Sequence, residues 1–172
     1  MKRFCVRRVL DVIIRLATAA DLPAINAIYN HYVATSTCTY QYEPETEEGR
    51  LAWFTAHGEK HPVTVAEVDG EVVGWGALSP FRTRAGYRFT VEASIYVRHN
   101  MHRRGIGKAV LSDLIDRARK LGYHAMVGGT SADQAASVAL QESMGFQKAG
   151  CLKEIGFKFD HWLDVVFMQL LL

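Results

Sequence analysis

The strongest chemical signal in the chain is a glycine-bearing turn that runs into a helix, Arg103-Arg104-Gly105-Ile106-Gly107-Lys108. A loop that leads directly into a helix leaves several backbone N–H groups without intrahelical partners, and these groups point at one place. Together with the positive end of the helix dipole they form a site for phosphate. Arg103, Arg104 and Lys108 add full positive charges around that place. The turn therefore predicts a phosphate-binding site.

The composition indicates a single globular domain. The 172 residues are 49% hydrophobic and 22% charged, with a formal net charge of +2. This near balance argues against a nucleic-acid-binding protein that depends on bulk electrostatics. The basic start, residues 1–8, is not followed by an apolar run long enough for a signal peptide or a membrane span. We expect a cytoplasmic protein without nucleic-acid or membrane partners. We also expect residues 1–11 to be an N-terminal extension, a solvated tail rather than an RNA-binding arm.

The cysteines and histidines form no pattern typical of a disulfide framework or a metal site. Cys5, Cys38 and Cys151 are odd in number and widely scattered, which suits reduced thiols in a cytoplasm. His57 and His61 have a spacing that could place both on one helix face. A glycine between them and a proline directly after them make such a helix improbable. We therefore predict no metal, and none of the cysteines lies in a motif typical of a nucleophile.

Hydrophobic periodicity predicts strands and helices along the whole chain. The segments in order are a strand over 12–17, a helix over 19–34, a helix from about 46, a hairpin over 63–78, a strand over 87–97, a helix from the glycine turn to about 121, a strand over 124–129, a helix over 133–143 and a strand-rich tail over 157–170. Residues 35–42 suit either a short strand or an extended loop. The prediction is one α+β domain, with a central mixed, mostly antiparallel sheet flanked by about four helices.

This order of elements around the glycine turn resembles the GNAT acetyltransferase superfamily. The resemblance covers nearly everything from Ile13 to Leu170. Gln134-Ala135-Ala136-Ser137-Val138-Ala139-Leu140 and Met144-Gly145-Phe146 look like the superfamily's second coenzyme-contacting helix and its following strand. The resemblance implies a GNAT fold for residues 12–172 and acetyl-CoA as the acyl donor.

The resemblance also implies how the coenzyme would be held. Backbone groups of Ile95, Tyr96 and Val97 would meet the pantetheine arm like an added strand. The residues implied for the pyrophosphate and the neighbouring contacts are Arg103, Arg104, Gly105, Ile106, Gly107 and Lys108, together with Gln134 and Ser137 of the second helix. Glycines suit such a turn because a Cβ would block the approach of phosphate to the backbone.

Three further segments look like the phosphinothricin and methionine sulfoximine N-acetyltransferase branch. They are Asn30-His31-Tyr32 with Thr35-Ser36-Thr37, Gly86-Tyr87-Arg88 with Thr90-Val91-Glu92, and Trp162-Leu163-Asp164-Val165. The branch implies acetyl transfer to the amino or similar nitrogen of a small amino-acid-like substrate. It also implies a homodimer.

The resemblance to this branch implies catalytic and substrate-binding roles for individual residues. An attacking amine must be neutral, whereas α-amino groups are largely protonated in neutral water, so a base is needed. Glu92 matches the branch's general base. A backbone N–H near Val97 would stabilise the oxyanion that forms on the thioester. Arg82 and Arg88, with Tyr87 lining the pocket, would hold the carboxylate of the substrate.

Three positions depart from the family pattern. Gln141 stands where many relatives carry Tyr or His, a candidate acid for the departing thiolate, and glutamine cannot supply a proton. Gln134 stands where the branch usually has Asn, and His102 takes the usual Gln or Arg position at the start of the phosphate motif. Two alternatives stay open at this point: an acetyltransferase for protein N-termini or lysines, and a CoA-binding sensor without catalysis.

Overall fold

The computed structural model describes residues 11–172, and these form one seven-stranded sheet with helices on both faces. The strands are β1 (Ile13–Leu16), β2 (Val63–Val68), β3 (Glu71–Pro80), β4 (Thr90–Val97), β5 (Ala125–Ser131), β6 (Gln147–Lys158) and β7 (His161–Leu171). Their order in the sheet is β1-β2-β3-β4-β5-β7-β6. The predicted N-terminal extension and Cys5 lie outside the described residues, apart from residue 11 itself.

The helices agree with the expected number. They are α1 (Leu22–Thr35), α2 (Glu47–Ala56), α3 (Ile106–Lys120) and α4 (Ala135–Ser143), with short 3-10 helices at Ala19–Asp21, Ala85–Tyr87 and His99–Met101. Residues 36–46 contain no strand, so the extended-loop alternative is the one observed. The strand-rich tail predicted over 157–170 is too short. In the structure, β6 begins at Gln147 and pairs with β7 in a long hairpin.

The side chains of the sheet alternate between two cores on opposite faces. One core packs against α3 through Val110, Leu111 and Leu114, and the other packs beneath α1 and contains Trp75. Glycine at position 76 lets α3 approach β3 closely, since a Cβ there would lie 2.6 Å from Val110 Cγ1. This approach fixes α3 against β3 and β4.

A gap in the middle of the sheet is the feature that makes a site. The pairing of β4 with β5 is parallel, and it covers only the residue pairs from Thr90–Ala125 to Glu92–Val127. Beyond Glu92, β4 stays paired with β3 as far as Val97, whereas β5 stays paired with β7. The two strands therefore diverge, and a cleft opens between them.

Candidate active site

The backbone hydrogen-bonding groups of β4 point alternately toward β3 and toward the cleft. Just after the strand, the Arg98 N–H donates to the Val73 carbonyl at 2.8 Å. Hydrogen-bonding directions alternate along an antiparallel pair, so the backbone of Tyr96, which lies opposite Trp75, also faces β3. The odd-numbered residues point the other way, and Ala93 still donates its N–H to β5, because Glu92 pairs with Val127. Beyond it, the N–H and C=O of Ile95 and the N–H of Val97 point into the cleft. These groups form an unpaired strand edge inside the protein.

The cleft has a volume of about 550 Å³ and collects most of the predicted coenzyme residues. The predicted residues that line it are Glu92, Ile95, Tyr96, Val97, Arg103, Gly105, Ile106, Gly107, Lys108, Gln134 and Ser137. Arg104 is not among the lining residues. Tyr96 contributes its side chain alone, because its backbone groups are already paired with β3. Residues from β4, α3 and α4, distant in the sequence, thus meet around one space.

The glycine turn has the conformation that a phosphate site requires. Gly105 lies directly before α3 with a φ of +83°, in the left-handed region that glycine adopts without a steric penalty. The first intrahelical bond runs from the Ala109 N–H to the Gly105 carbonyl at 3.0 Å. The N–H groups of residues 106–108 therefore have no helical acceptor. Gly107 serves packing, since a Cβ there would lie 3.3 Å from Leu140 Cδ2 of α4.

Glu92 lies at the fork where β4 and β5 separate. Its Oε1 is near β5, at 3.6 Å from the place a Cβ on Gly129 would occupy. Burial raises the pKa of Glu92, and the positive charge of Arg82 opposes this shift. No other residue of the described chain donates a hydrogen bond to this carboxylate. The arrangement leaves its oxygens available to a proton on a bound molecule.

Residues 81–89 between β3 and β4 form a loop, the arginine loop, whose Arg82 acts electrostatically on Glu92 at this fork. Arg82 and Tyr87 line one open pocket of about 530 Å³, together with Thr83 and Arg84. Arg88 is turned elsewhere: its guanidinium lies 4.4 Å from the Phe89 ring centroid and donates to the carbonyl of residue 85 at 3.3 Å. The structure therefore brings Arg82 and Tyr87 together and leaves Arg88 outside their pocket.

The loop between α1 and α2 forms one wall of the cleft, and the contacts that hold it could not be predicted from the sequence. Lys158, 2% exposed, donates to the carbonyls of Ser36 and Thr39 at 2.7 and 2.8 Å. On the other side, Thr37 bonds to Asp133 at 2.8 and 2.9 Å. The loop carries Cys38, which lines the cleft.

Gln134 takes part in the same contacts. Its Nε2 donates to Thr37 Oγ1 at 2.7 Å, so its amide is engaged by the protein as well as facing the cleft. Burial would raise the pKa of Asp133, but the hydrogen bonds from Thr37 and Gln134 outweigh it and lower that pKa. This group of polar side chains joins the α1–α2 loop to the start of α4.

Gln141 lies in the cleft wall with its amide only weakly engaged. The residue is 7% exposed, its Nε2 lies 3.4 Å from the Ser137 carbonyl, and its Oε1 has no partner among the described residues. Glycine at 128 makes room for it, since a Cβ there would lie 2.0 Å from Oε1. An amide at this place can donate a hydrogen bond but cannot transfer a proton.

The two histidines with metal-like spacing have other partners. His57 lies 2.8 Å from the Trp53 carbonyl through Nδ1 and 3.1 Å from Ser79 Oγ through Nε2. His61 contacts Tyr123 instead. Over residues 11–172 no group of three or more His, Cys, Asp or Glu side chains is placed to hold a metal ion. The same residues include no helix that is long and apolar enough to cross a membrane.

Comparison with known proteins decides the family. The model of the acetyltransferase (GNAT) family matches residues 25–146. The chain belongs to the GNAT family. The L-methionine sulfoximine/L-methionine sulfone acetyltransferase of Salmonella typhimurium is 41% identical over 158 residues, which cover 91% of this chain and 92% of that protein. The phosphinothricin N-acetyltransferase of Streptomyces viridochromogenes is 35% identical over 156 residues, covering 91% of this chain and 85% of that one.

Solved GNAT structures share the fold along almost the whole chain. A phosphinothricin acetyltransferase from Sinorhizobium meliloti in complex with acetyl-CoA superposes with a TM-score of 0.91 at 39% identity, covering 94% of this chain and 88% of its own. An N-acetyltransferase from Staphylococcus aureus gives 0.91 at 38% identity, covering 94% and 98%. The predicted fold and the predicted membership of the GNAT acyltransferases are confirmed.

The ionisation of Glu92, which is half-buried in the cleft, should affect the free energy of unfolding of this GNAT protein. Because burial raises the pKa of Glu92, the folded protein holds this proton more tightly than the unfolded chain does. The stabilising contribution is therefore complete below the unfolded pKa and is lost as the pH rises through the folded pKa. We expect Glu92→Gln, measured by denaturant unfolding, to be more stable than wild type at neutral pH and equal to it below pH 4.5, the ordinary value of the group.

Glu142→Gln is the matched control, because Glu142 is an exposed carboxylate on α4. We expect its stability to follow that of the wild type across the same pH range. A Glu92→Gln variant that is less stable than wild type at neutral pH would show that the carboxylate is held by favourable contacts.

Proposed function

We propose that this GNAT protein transfers the acetyl group of acetyl-CoA to the amino or similar nitrogen of a small amino-acid-like molecule. The observation that carries the proposal is the position of Glu92. It lines the cleft at the fork of β4 and β5, and it is close enough to Arg82 for the positive charge of that side chain to oppose the rise of its pKa. A carboxylate there can reach a proton on a molecule that is bound between a thioester and an arginine. The names of the relatives agree with such an acceptor.

The coenzyme would occupy the cleft in an extended form. The N–H and C=O groups of Ile95 can pair with the amides of a pantetheine arm as a neighbouring strand would, which leaves the Val97 N–H to face the thioester. The N–H groups of residues 106–108 and the side chains of Arg103 and Lys108 would take the pyrophosphate. Arg104 would act through its charge at the mouth of the site, and Gln134 and Ser137 would contact the coenzyme from α4.

Glu92 would act as the general base. Burial raises its pKa and therefore makes the carboxylate a stronger proton acceptor than one in water. It would remove a proton from the ammonium group of the acceptor, directly or through a water molecule, and leave a neutral nitrogen. The nitrogen then attacks the thioester carbonyl without a covalent enzyme intermediate.

The Val97 N–H would stabilise the negative charge that develops on the thioester oxygen. As the carbon–sulfur bond breaks, the thiolate departs beside α4. Gln141 can stabilise it there with a hydrogen bond but cannot supply a proton, so the second proton of the attacking nitrogen would pass to the thiolate through water. Activity does not need an acid at this position, because a thiolate is a tolerable leaving group.

The arginine loop would select the acceptor. Arg82 and Tyr87 line the open pocket beside Glu92, and a guanidinium can bind a carboxylate through two parallel hydrogen bonds. Arg88 would have to turn away from Phe89 to join them. An acceptor with its own carboxylate suits this arrangement better than a lysine of a folded protein.

One assay separates catalysis from coenzyme sensing. Purified protein is incubated with acetyl-CoA and a panel of phosphinothricin, methionine sulfoximine, methionine sulfone and common amino acids, and released thiol is measured. We expect turnover, a loss of kcat in Glu92→Gln of about 10²–10⁴-fold because the base is removed, and a far smaller loss in Gln141→Ala.

Coenzyme affinity is the control for this assay, and Glu92→Gln should bind acetyl-CoA as the wild type does. Tight coenzyme binding without turnover on the panel or on peptides would support a sensor. Turnover on peptides alone would support a protein acetyltransferase. Full activity of Glu92→Gln would remove Glu92 from the mechanism.

We further propose that the protein works as a homodimer. One end of the sheet is the edge strand β6, and an apolar surface lies on it and on the turn into β7. This β6 surface consists of Leu152, Ile155, Phe157, Phe159 and Trp162, which are between 40% and 62% exposed. Large exposed apolar patches typically mark interaction sites, and an uncovered edge strand invites pairing. A second copy of the chain would cover both.

Light scattering after size-exclusion chromatography tests the dimer. We expect twice the monomer mass for the wild type and the monomer mass for Trp162→Arg, since a charge would be buried in the interface. Leu51→Arg is the control, because Leu51 is 51% exposed on α2, away from β6. A monomeric wild type at micromolar concentration would contradict the proposal.

The cysteines indicate the compartment in which the protein acts. Cys38 and Cys151 are both free thiols. Free thiols suit the reducing conditions of a cytoplasm. We therefore propose that the protein acts in the cytoplasm.

A further inference from the structure

Tyr32, near the end of α1, reaches into the cleft at the last residue of β4. Its hydroxyl bonds to the Val97 carbonyl and lies 2.6 Å from His102 Nε2. The same ring nitrogen lies 3.2 Å from the Val97 carbonyl oxygen. Tyr32, Val97 and His102 all line the cleft. A single hydroxyl from α1 thus contacts the end of the strand and the residue that opens the phosphate turn.

The direction of these bonds follows from their chemistry. A carbonyl can only accept, so the Tyr32 hydroxyl donates its one proton to Val97. The Tyr32 oxygen must then accept from His102, which requires a proton on His102 Nε2. Burial raises the pKa of Tyr32 to about 12, so the hydroxyl keeps its proton at neutral pH. The order His102 to Tyr32 to Val97 is therefore fixed.

This chain of bonds spans two segments that would bind different parts of the coenzyme. Val97 ends the strand edge proposed for pantetheine, and Arg103 and Gly105 belong to the turn proposed for the pyrophosphate. Both turn residues have positive φ, +59° and +83°. Nothing in β4 itself fixes where such a turn lies relative to the strand. The neighbouring His31 and His99 rings, stacked 4.1 Å apart, add a second contact between α1 and this segment.

We propose that Tyr32 and His102 are positioning residues for the coenzyme, which hold the end of β4 and the phosphate turn at the separation that one coenzyme molecule requires. The inference rests on the proposed use of acetyl-CoA. A ligand that must satisfy both segments at once binds more tightly when their geometry is set in advance. A ligand that touches only one segment gains nothing from this. A positioning role therefore predicts that loss of these hydrogen bonds raises the Kd of a ligand that touches both segments more than the Kd of a ligand that touches one.

The experiment compares Tyr32→Phe with wild type for two ligands by calorimetry or NMR titration. We expect the Kd of acetyl-CoA to rise by about three- to tenfold, as for the loss of one or two hydrogen bonds. The Kd of the 3′-phosphoadenosine diphosphate half, which reaches the turn alone, should change by less than about twofold.

Matched variants separate this role from a general loss of structure. Tyr123→Phe removes a hydroxyl that donates to the Lys60 carbonyl at 2.8 Å, outside the cleft, and should leave both Kd values unchanged. His102→Phe, at an exposed position, should weaken acetyl-CoA as Tyr32→Phe does, and His102→Gln, which keeps an N–H donor, should restore much of the affinity. Thermal unfolding of each variant reports on the fold separately.

Two results would overturn the inference. Tyr32→Phe and His102→Phe with wild-type affinity for acetyl-CoA would show that the contact has no role in binding. Equal weakening of acetyl-CoA and its nucleotide half would show damage to the turn itself. A wild-type protein that binds no acetyl-CoA would instead contradict the proposed function.

Discussion

The divergence of β4 from β5 after Glu92 is the constraint on which the rest of the site depends. Each strand keeps an antiparallel partner on its other side, β3 for β4 and β7 for β5. Both strands therefore remain hydrogen-bonded within the sheet although they separate from each other. The gap exposes one edge of β4 inside the protein, where unpaired backbone groups are otherwise unfavourable. A ligand that pairs with this edge completes the sheet, and its binding free energy includes that completion. The divergence of the two strands therefore creates both the cleft and the backbone edge that the proposed coenzyme would use.

The helices convert this gap into a site with two ends. Close packing at Gly76 sets α3 so that its N-terminal N–H groups face one end of the cleft, where charge and dipole favour phosphate. Glu92 stands at the other end, where burial favours proton uptake. Polar contacts such as Lys158 with the α1–α2 loop close the space between them. The glycine turn and the Glu92 carboxylate thus lie at opposite ends of one cleft.

Features set by local sequence could be predicted, and features set by distant contacts could not. The turn around Gly105, the hairpin at Asp69-Gly70 and the helices follow from residue type and period, and they were found. The buried position of Lys158 depends on carbonyls 119 and 122 residues away, and the Tyr32–His102 contact joins residues 70 apart. The helical spacing of Tyr32 alone is as consistent with a tyrosine in the hydrophobic core as with one that reaches the cleft. The alternation of backbone groups in β4 needed the register with β3.

Residue-resolved amide hydrogen exchange with and without coenzyme tests the central claim most directly. If an extended arm adds to the free edge of β4, the amides of Ile95 and Val97 should become protected when CoA is added. The amides of Ser94 and Tyr96 face β3 and should already be protected and change little. Protection that appears equally at all four amides, or at none of them while CoA is bound, would contradict the account.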